Sequence, residues 1–179
     1  MTDTIKIKDI IDEDFINYKK PSMFIATSIC SFKCEKEDCN VKCQNSKIVQ
    51  QNTIKTSIDK IIDRYINNPL TSAIVFGGLE PFDQIEEILS FINKFRNISS
   101  DDIVIYTGYT EEEINSFKYN NYNYLEAILE MNKINHENVL ISPSVIIKYG
   151  RFKSTGDKIN DEILGIELAS SNQYAKIYK

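Results

Sequence analysis

Apolar residues in this chain fall into short runs separated by polar segments, and four of these runs predict strands. They lie at residues 23–29, 73–76, 103–106 and 139–141. Each run is short and is bounded by Gly, Pro or polar residues, which is typical of buried strands. A further run at residues 174–178 predicts a closing strand near the C-terminal end.

Between these runs, apolar residues recur at the spacing of one helix face. One predicted helix begins after Ser57, a candidate N-cap, and a second begins near Pro81, a residue favoured in the first turn. A third follows Thr110, which forms a capping-box pattern with Glu113. A further helix is expected within residues 124–134, because apolar positions continue at helical spacing there.

Strands that alternate with amphipathic helices predict an α/β fold with a mostly parallel sheet and helical crossovers. A complete β/α barrel of eight units usually needs about 250 residues. A chain of 179 residues therefore predicts a partial, open barrel, built as a single domain over residues 1–179. Residues 1–22 are charged and only weakly periodic, so they predict an arm or a short strand ahead of the core.

All four cysteines lie in one polar loop, at residues 30–45, directly after the first predicted strand. They are Cys30, Cys34, Cys39 and Cys43, with the spacing C-x3-C-x4-C-x3-C. Thiolate sulfur is a soft donor that suits zinc and iron–sulfur clusters. Two disulfides are the weakest reading, because thiols stay reduced in the cytoplasm that we expect for this chain. The spacing alone does not separate zinc held by four thiolates from a [4Fe–4S] cluster held by three.

Two further polar stretches each follow a predicted strand. They are Gly-Gly-Leu-Glu-Pro at residues 77–81 and Thr-Gly-Tyr at residues 107–109. Ligands of parallel α/β sheets bind at the carboxyl ends of the strands, so both stretches should lie beside the cysteine loop. Glycine lets a ligand approach the backbone, and carboxylate, hydroxyl and carbonyl groups can hydrogen-bond it. The candidate ligand-binding residues are Gly77, Gly78, Glu80, Thr107, Gly108 and Tyr109.

Composition excludes several classes of function. The formal net charge is −5 and there is no run of Lys or Arg, so nucleic-acid binding is not expected. The first residues have no apolar core of a signal peptide, and no run approaches the roughly 20 residues of a membrane-spanning helix. We therefore expect a cytoplasmic protein. The single histidine, His136, is assigned no role, and neither a hydrolytic triad nor a phosphate-binding loop is present.

Four stretches, taken in order, resemble the radical S-adenosylmethionine (radical SAM) superfamily, and in particular the activating proteins of anaerobic ribonucleotide reductase. The resemblance covers about residues 23–177. The stretches are Cys-x3-Cys at residues 30–34 with Cys-Gln-Asn at 43–45, Gly-Gly-Leu-Glu-Pro at 77–81, Ile-Tyr-Thr-Gly-Tyr-Thr at 105–110, and Ser-Ser-Asn-Gln at 170–173.

The resemblance implies a fold of the radical SAM type and a [4Fe–4S] cluster held by three cysteines. Its fourth iron binds the amino and carboxylate groups of SAM, and reduction by a low-potential electron donor yields methionine and a 5′-deoxyadenosyl radical. In the activating proteins this radical takes a hydrogen atom from a glycine of a partner glycyl-radical enzyme, such as anaerobic ribonucleotide reductase. By the same resemblance, the Gly77 and Gly78 carbonyls hold the methionine ammonium group, and residues 107–109 lie near that ligand.

The sequence departs from the superfamily pattern C-x3-C-x2-C after Cys34. The last cysteine of this family is often followed by one residue and then Asn, which Cys43 fits and Cys39 does not. The resemblance thus assigns Cys30, Cys34 and Cys43 as ligands and leaves Cys39 spare. If all four cysteines bind metal, the site is closed to SAM, and the chain is a non-catalytic zinc or iron–sulfur module for interaction or electron transfer. The extra leucine in residues 77–81 also shifts the acidic residue by one position and leaves its role open.

Overall fold

A computed structural model describes residues 2–37, 42–136, 139–141, 143–154 and 157–179. None of the described helices is long and apolar enough to span a membrane. The helices are α1 (Lys33–Glu37), α2 (Ser46–Val49), α3 (Ile58–Ile66), α4 (Ile85–Arg96), α5 (Glu111–Ser116) and α6 (Tyr124–Met131), with a 3₁₀ turn at Pro81–Gln84. The strands are β1 (Thr4–Asp14), β2 (Ser22–Thr27), β3 (Ile54–Ser57), β4 (Ala73–Gly78), β5 (Asp102–Tyr106), β6 (Lys118–Tyr119), β7 (Tyr122–Asn123), β8 (Ile134–His136), β9 (Val139–Ile141), β10 (Val145–Tyr149), β11 (Ile159–Asp161), β12 (Ile166–Leu168) and β13 (Tyr174–Tyr178).

Seven of the described strands form one mixed sheet in the order β13-β10-β5-β4-β2-β1-β3. The four central strands β2, β4, β5 and β10 run parallel, while β1, β3 and β13 pair antiparallel at the flanks. Within the described residues the two outer strands do not pair with each other, so the sheet is open. The predicted α/β class and mostly parallel centre are confirmed, and the open sheet is compatible with the partial barrel.

The predicted strand at residues 139–141 is present, but it is not part of the parallel sheet, whose fourth strand is β10. Residues 139–141 form β9, which pairs only with β8 outside the main sheet. Two apolar runs of three residues follow one another here, at 139–141 and 145–147, and the second continues through Lys148 and Tyr149 as a five-residue strand. All five residues of β10 are buried, and the strand pairs in register with β5 on one side and β13 on the other.

The N-terminal segment forms an eleven-residue strand, β1, rather than an arm or a short strand. It pairs with β2 and β3. Residues 4–8 read Thr-Ile-Lys-Ile-Lys, and the two isoleucines, Ile5 and Ile7, are buried while the polar residues between and after them are not. This alternation is the period-two signal of a strand with one buried face. The helix predicted within residues 124–134 is confirmed, because α6 spans Tyr124–Met131.

The sheet has two differently covered faces. Helices α3, α4 and α6 pack on one face and form the larger core with side chains such as Ile25, Phe76 and Ile105. The other face carries Val75 and Val104 and is covered by Tyr18, Leu164 and Leu168. These covering residues come from the β1–β2 connection and from the β11–β12 hairpin. The carboxyl ends of the central strands stay accessible between the two.

A buried arginine ties the far end of the helical layer together. Arg96, 2% exposed, donates from Nε to Asn132 Oδ1 at 2.7 Å and from Nη1 to the Asp101 carbonyl at 2.6 Å. Longer hydrogen bonds reach the carbonyls of Ser99 and Ser144. Burial lowers the pKa of the guanidinium to about 10, which still leaves it charged at neutral pH. One side chain therefore joins the ends of α4 and α6 to the turns that precede β5 and β10.

Replacing Arg96 by Met should strongly destabilise the fold, because its acceptors would stay buried without a donor. Each such group costs about 1–3 kcal/mol, so the free energy of unfolding should fall by roughly 3 kcal/mol or more. The matched control is Arg64→Met, which removes an exposed ion pair with Asp12 and should change stability by less than about 1 kcal/mol. Urea unfolding followed by circular dichroism measures both, and equal losses would contradict the structural role of Arg96.

Candidate metal centre and adjoining cavity

The loops that follow the four parallel strands meet around a cavity of about 300 Å³ at the carboxyl edge of the sheet. The volume is at the lower end of the range for small-molecule sites. The residues of the predicted site that line it are Cys30, Cys34, Cys43, Gly77, Gly78, Glu80, Thr107 and Gly108, joined by Lys148 and Arg151 from the β10 end. The sequence-based expectation that these stretches share one edge is thus met by the described residues.

The described cysteines are three free thiols that face this one cavity. Cys30 follows β2, Cys34 lies in α1, and Cys43 precedes α2; Cys39 lies outside the described residues. Burial raises the pKa of the Cys30 thiol to about 12, and the charges of Glu80, Asp83 and Cys34 add to the effect. Burial and the neighbouring Cys43 also raise the pKa of Cys34.

Burial and neighbouring negative charge thus disfavour the thiolate forms of Cys30 and Cys34 in the absence of a cation. Metal binding requires deprotonated thiols and supplies a compensating positive charge. Sulfur donors are also the type that iron–sulfur clusters use. The type of donor therefore suits an iron–sulfur cluster, and the three described thiols line the same cavity, although they are not gathered closely enough in this structure to form a ready-made metal site.

Backbone contacts organise the cysteine loop before any metal is considered. Phe32 has φ of 54°, an uncommon conformation for a bulky residue. In this conformation its N–H donates to Cys30 Sγ at 3.2 Å, while its carbonyl accepts from the amides of Glu35 and Lys36 as α1 begins. Glu35 then accepts the N–H of Cys43 at 2.6 Å. The two ends of the loop are thereby linked within the chain itself.

The asparagine two residues after Cys43 joins the loop to β4. The side-chain amide of Asn45 donates to the Gly78 carbonyl, and Thr27 Oγ1 donates to the Gly77 carbonyl at 2.9 Å. Gly78 has φ of 81°, and a Cβ there would lie 2.9 Å from Cα of Ala26. Glycine is therefore required at 78. Of the two carbonyls predicted to face an ammonium group, that of Gly77 lies in the ladder between β2 and β4 and also accepts Thr27 Oγ1, so it is already occupied. The Gly78 carbonyl accepts the Asn45 amide and can take a second donor.

Glu80 is buried and joins the loops after β4 and β5. Its Oε1 accepts from the Phe82 N–H at 3.1 Å and from Thr107 Oγ1 at 2.8 Å, and its Oε2 accepts from the Gly108 N–H at 2.8 Å. Burial raises the pKa of the carboxyl to about 7, although the three donors oppose the shift. The sequence indicated Glu80 as an acceptor, and the structure places protein donors on both of its oxygens.

Tyr109 is the one predicted ligand-binding residue that does not line the cavity. Its side chain is 6% exposed, and its hydroxyl donates to Asp83 Oδ1. Burial and this hydrogen bond raise its pKa above the usual range. The Tyr109 N–H in turn donates to Thr107 Oγ1 at 2.9 Å. Tyr109 thus stabilises the loop through Asp83 and Thr107 and does not face the cavity.

Lys148 is a cavity residue that the sequence reasoning missed. It lies on β10, is 7% exposed, and donates from Nζ to the Gly150 carbonyl at 3.2 Å. Burial lowers its pKa to about 8, while the charge of Glu80 opposes the shift. In the part of the chain that the structure describes, no carboxylate lies within salt-bridge distance of Nζ. The sequence feature that could have identified Lys148 is its position as a single lysine within an otherwise apolar strand.

An ion network closes the site on the side of α1. Glu113 in α5 accepts two hydrogen bonds from Arg151, at 2.9 and 2.7 Å, and one from Lys33 at 3.1 Å. Burial alone would raise its pKa, but hydrogen bonds from Arg151, the Thr110 N–H and Lys33 outweigh it and lower the pKa to about 2. The predicted capping box of Thr110 and Glu113 is present as well. One carboxylate thus links α1, α5 and the loop after β10.

This fold and donor set define a cluster-binding domain. The profile of the 4Fe–4S single cluster domain family matches residues 21–147, from just before β2 into β10. The match covers well over half of the chain, so the chain belongs to this family. No curated protein sequence matches it significantly. The family match favours iron–sulfur over zinc, a choice that the cysteine spacing left open.

Two glycine substitutions test the strict requirement at residue 78. Gly78→Ala should lower the free energy of unfolding by roughly 1–3 kcal/mol, because it combines a positive φ with a backbone clash. Gly108→Ala is the matched control. A Cβ there would meet Glu80 Oε2 at 3.5 Å, an ordinary contact, so the loss should stay below about 1 kcal/mol. Urea unfolding compares the two, and similar losses would contradict the assignment.

Proposed function

We propose that this protein is a radical SAM enzyme that cleaves SAM reductively. The observation that carries the proposal is the position of the three cysteines at one wall of a cavity whose other walls hold backbone acceptors, a carboxylate and a buried lysine. A purely structural metal site does not need such a cavity. When bound, a [4Fe–4S] cluster with one iron free of protein thiolate passes an electron to the SAM sulfonium, giving methionine and a 5′-deoxyadenosyl radical.

In this proposal Cys30, Cys34 and Cys43 hold the cluster and Cys39 is spare. The convergence of these three thiols on one cavity supports the assignment. So does the contact of Asn45 with Gly78, because it fixes the segment after Cys43 against the same edge of the sheet. The sequence resemblance gives the same three positions.

The amino-acid part of SAM carries one positive and one negative group, and the cavity offers a partner for each. Lys148 uses one of its three donors within the protein and suits the carboxylate. The remaining lone pair of the Gly78 carbonyl, with Glu80 nearby, suits the ammonium group. A buried charge is stable only when it is paired, so ligand binding stabilises Lys148 as well as the ligand.

The sequence resemblance supports a glycyl-radical enzyme, such as anaerobic ribonucleotide reductase, as the partner, and a low-potential electron donor. The cavity lies at the carboxyl edge of the sheet, where a partner could reach it. A glycine in a polypeptide segment needs only to bring one Cα–H to the edge of the cavity.

Cysteine replacements test the ligand assignment. Cys30→Ala, Cys34→Ala and Cys43→Ala should each abolish retention of the [4Fe–4S] cluster after anaerobic reconstitution, because each removes one of three ligands. Cys39→Ala is the matched control and should keep both the cluster and SAM cleavage. Iron and sulfide analysis measures the first, and release of 5′-deoxyadenosine with dithionite measures the second.

Electron paramagnetic resonance separates the open cluster from the alternatives. The reduced wild-type protein should give a [4Fe–4S] signal that changes shape when SAM is added. A signal indifferent to SAM, together with cluster loss in Cys39→Ala, would reject the proposal in favour of a closed cluster for electron transfer. Zinc in place of iron in freshly purified protein would favour the interaction module instead.

Lys148→Met should weaken SAM binding roughly tenfold or more, because a charge-assisted hydrogen bond contributes about 1.5–3 kcal/mol. Cluster content should stay at the wild-type level, since Lys148 is not a ligand. The matched control is Lys153→Met, an exposed lysine in the loop after β10, which should bind SAM normally. Anaerobic isothermal titration calorimetry measures the dissociation constants for SAM. Equal affinities for the two variants would contradict the proposal that Lys148 binds the SAM carboxylate.

A further inference from the structure

Three side chains form a hydrogen-bonded group behind the cysteine loop. Asp83, in the 3₁₀ turn after β4, accepts the Ser31 N–H at Oδ2 and the Tyr109 hydroxyl at Oδ1. The Ser31 hydroxyl lies 3.1 Å from the Tyr109 hydroxyl. The group therefore links the loops after β2, β4 and β5 at one point.

None of these three side chains lines the cavity. Asp83 and Tyr109 therefore do not act by touching a small ligand held there. Asp83 hydrogen-bonds the cysteine loop at Ser31, the residue directly after Cys30. Its charge also acts on the Cys30 thiol, but its direct contact with the loop is made through the backbone at Ser31.

The hydrogen bond from the Ser31 N–H to Asp83 affects the orientation of Cys30. A peptide unit is planar, so a hydrogen bond that holds the Ser31 N–H also fixes the plane that begins at the Cys30 Cα. The next residue, Phe32, keeps its positive φ and donates to Cys30 Sγ. Such a conformation persists only where surrounding contacts over-determine it, and Asp83 provides one of those contacts.

Asp83 is itself held in place by a fixed aromatic ring. The Tyr109 ring packs edge-on against Phe117 with centroids 5.0 Å apart, and Lys33 Nζ lies 4.8 Å from the Tyr109 centroid. These contacts hold the ring in place, and its hydroxyl donates to one carboxylate oxygen of Asp83. The other oxygen then stays directed at Ser31.

We propose that Asp83, held by Tyr109, is a positioning residue for the Cys30 thiolate and so controls how firmly the cluster is retained. The proposal rests on the cluster-binding part of the proposed function and not on SAM cleavage. Partners that orient metal ligands from outside the coordination sphere commonly contribute about 10- to 100-fold in metal affinity.

The experiment compares four variants after anaerobic reconstitution: Asp83→Ala, Asp83→Asn, Tyr109→Phe and Glu86→Gln. Glu86→Gln removes the same charge from an exposed position nearby and is the control. Release of iron to a ferrous chelator should be about 10- to 100-fold faster in Asp83→Ala. Asp83→Asn keeps an oxygen that can accept the Ser31 N–H, so its iron release should be slower than that of Asp83→Ala. Tyr109→Phe should release iron at an intermediate rate. Glu86→Gln should release iron at the wild-type rate.

Two further readouts separate positioning from a general structural effect. The shape of the reduced [4Fe–4S] resonance should change in Asp83→Ala, and the melting temperature of the cluster-free chain should stay near that of the wild type. Wild-type release rates and an unchanged resonance in Asp83→Ala would overturn the proposal, and so would a fall in melting temperature that parallels cluster loss. SAM binding by the wild-type protein, measured on the same samples, tests radical SAM chemistry independently of this result.

Discussion

The buried carboxylate of Glu80 is the contact on which the geometry of the site depends. It accepts donors from the turn after β4 and from the loop after β5, and so holds the ends of two central strands together. A carboxylate buried this deeply is stable only because three donors satisfy it. The extra Leu79 places Glu80 where it also caps the following 3₁₀ turn. The same carboxylate thus shapes the loop at 107–108 and contributes charge beside Lys148.

Apolar packing and directed polar contacts determine different parts of this structure. Aliphatic and aromatic packing positions the strands and helices, as the fully buried Phe76, Phe91 and Phe95 illustrate. Directed polar contacts then position the loops at the carboxyl edge, where packing gives little guidance. Asn45 fixes the end of the cysteine loop, and Glu113 fixes α1 against the β10 end. The candidate metal centre lies beside these polar contacts.

The features that sequence predicted well are those with a strong local signal. The three short central strands before residue 107 stand out as apolar runs between turn residues, and the capping box at Thr110 is defined by two positions alone. The strand β1 had an equally local signal, the alternation from Thr4 to Lys8, which its charged residues obscured. The choice between residues 139–141 and β10 depended on pairing with β5, which no local pattern reveals.

The parts of the candidate site that sequence did not predict depend on contacts between distant residues. Lys148 is recognisable as a cavity residue only once β10 lies beside β5. The hydrogen bond from Asn45 to Gly78 and the one from Ser31 to Asp83 join positions 33 and 52 residues apart. Tyr109 was expected beside a ligand, yet its ring packs behind the loop. Sequence identified the loops that form the site, and the fold decides which way each side chain points.

The separation between the metal centre and the buried core has a consequence for repair. Among the described residues, neither apolar core contains a cysteine, and the three described thiols lie at the edge of the sheet in partly exposed positions. Loss of the cluster to oxygen therefore leaves both cores intact, and we expect the emptied chain to remain folded. A folded, emptied chain can be supplied with a new cluster without being synthesised again, so oxidative damage at this site is a recoverable state.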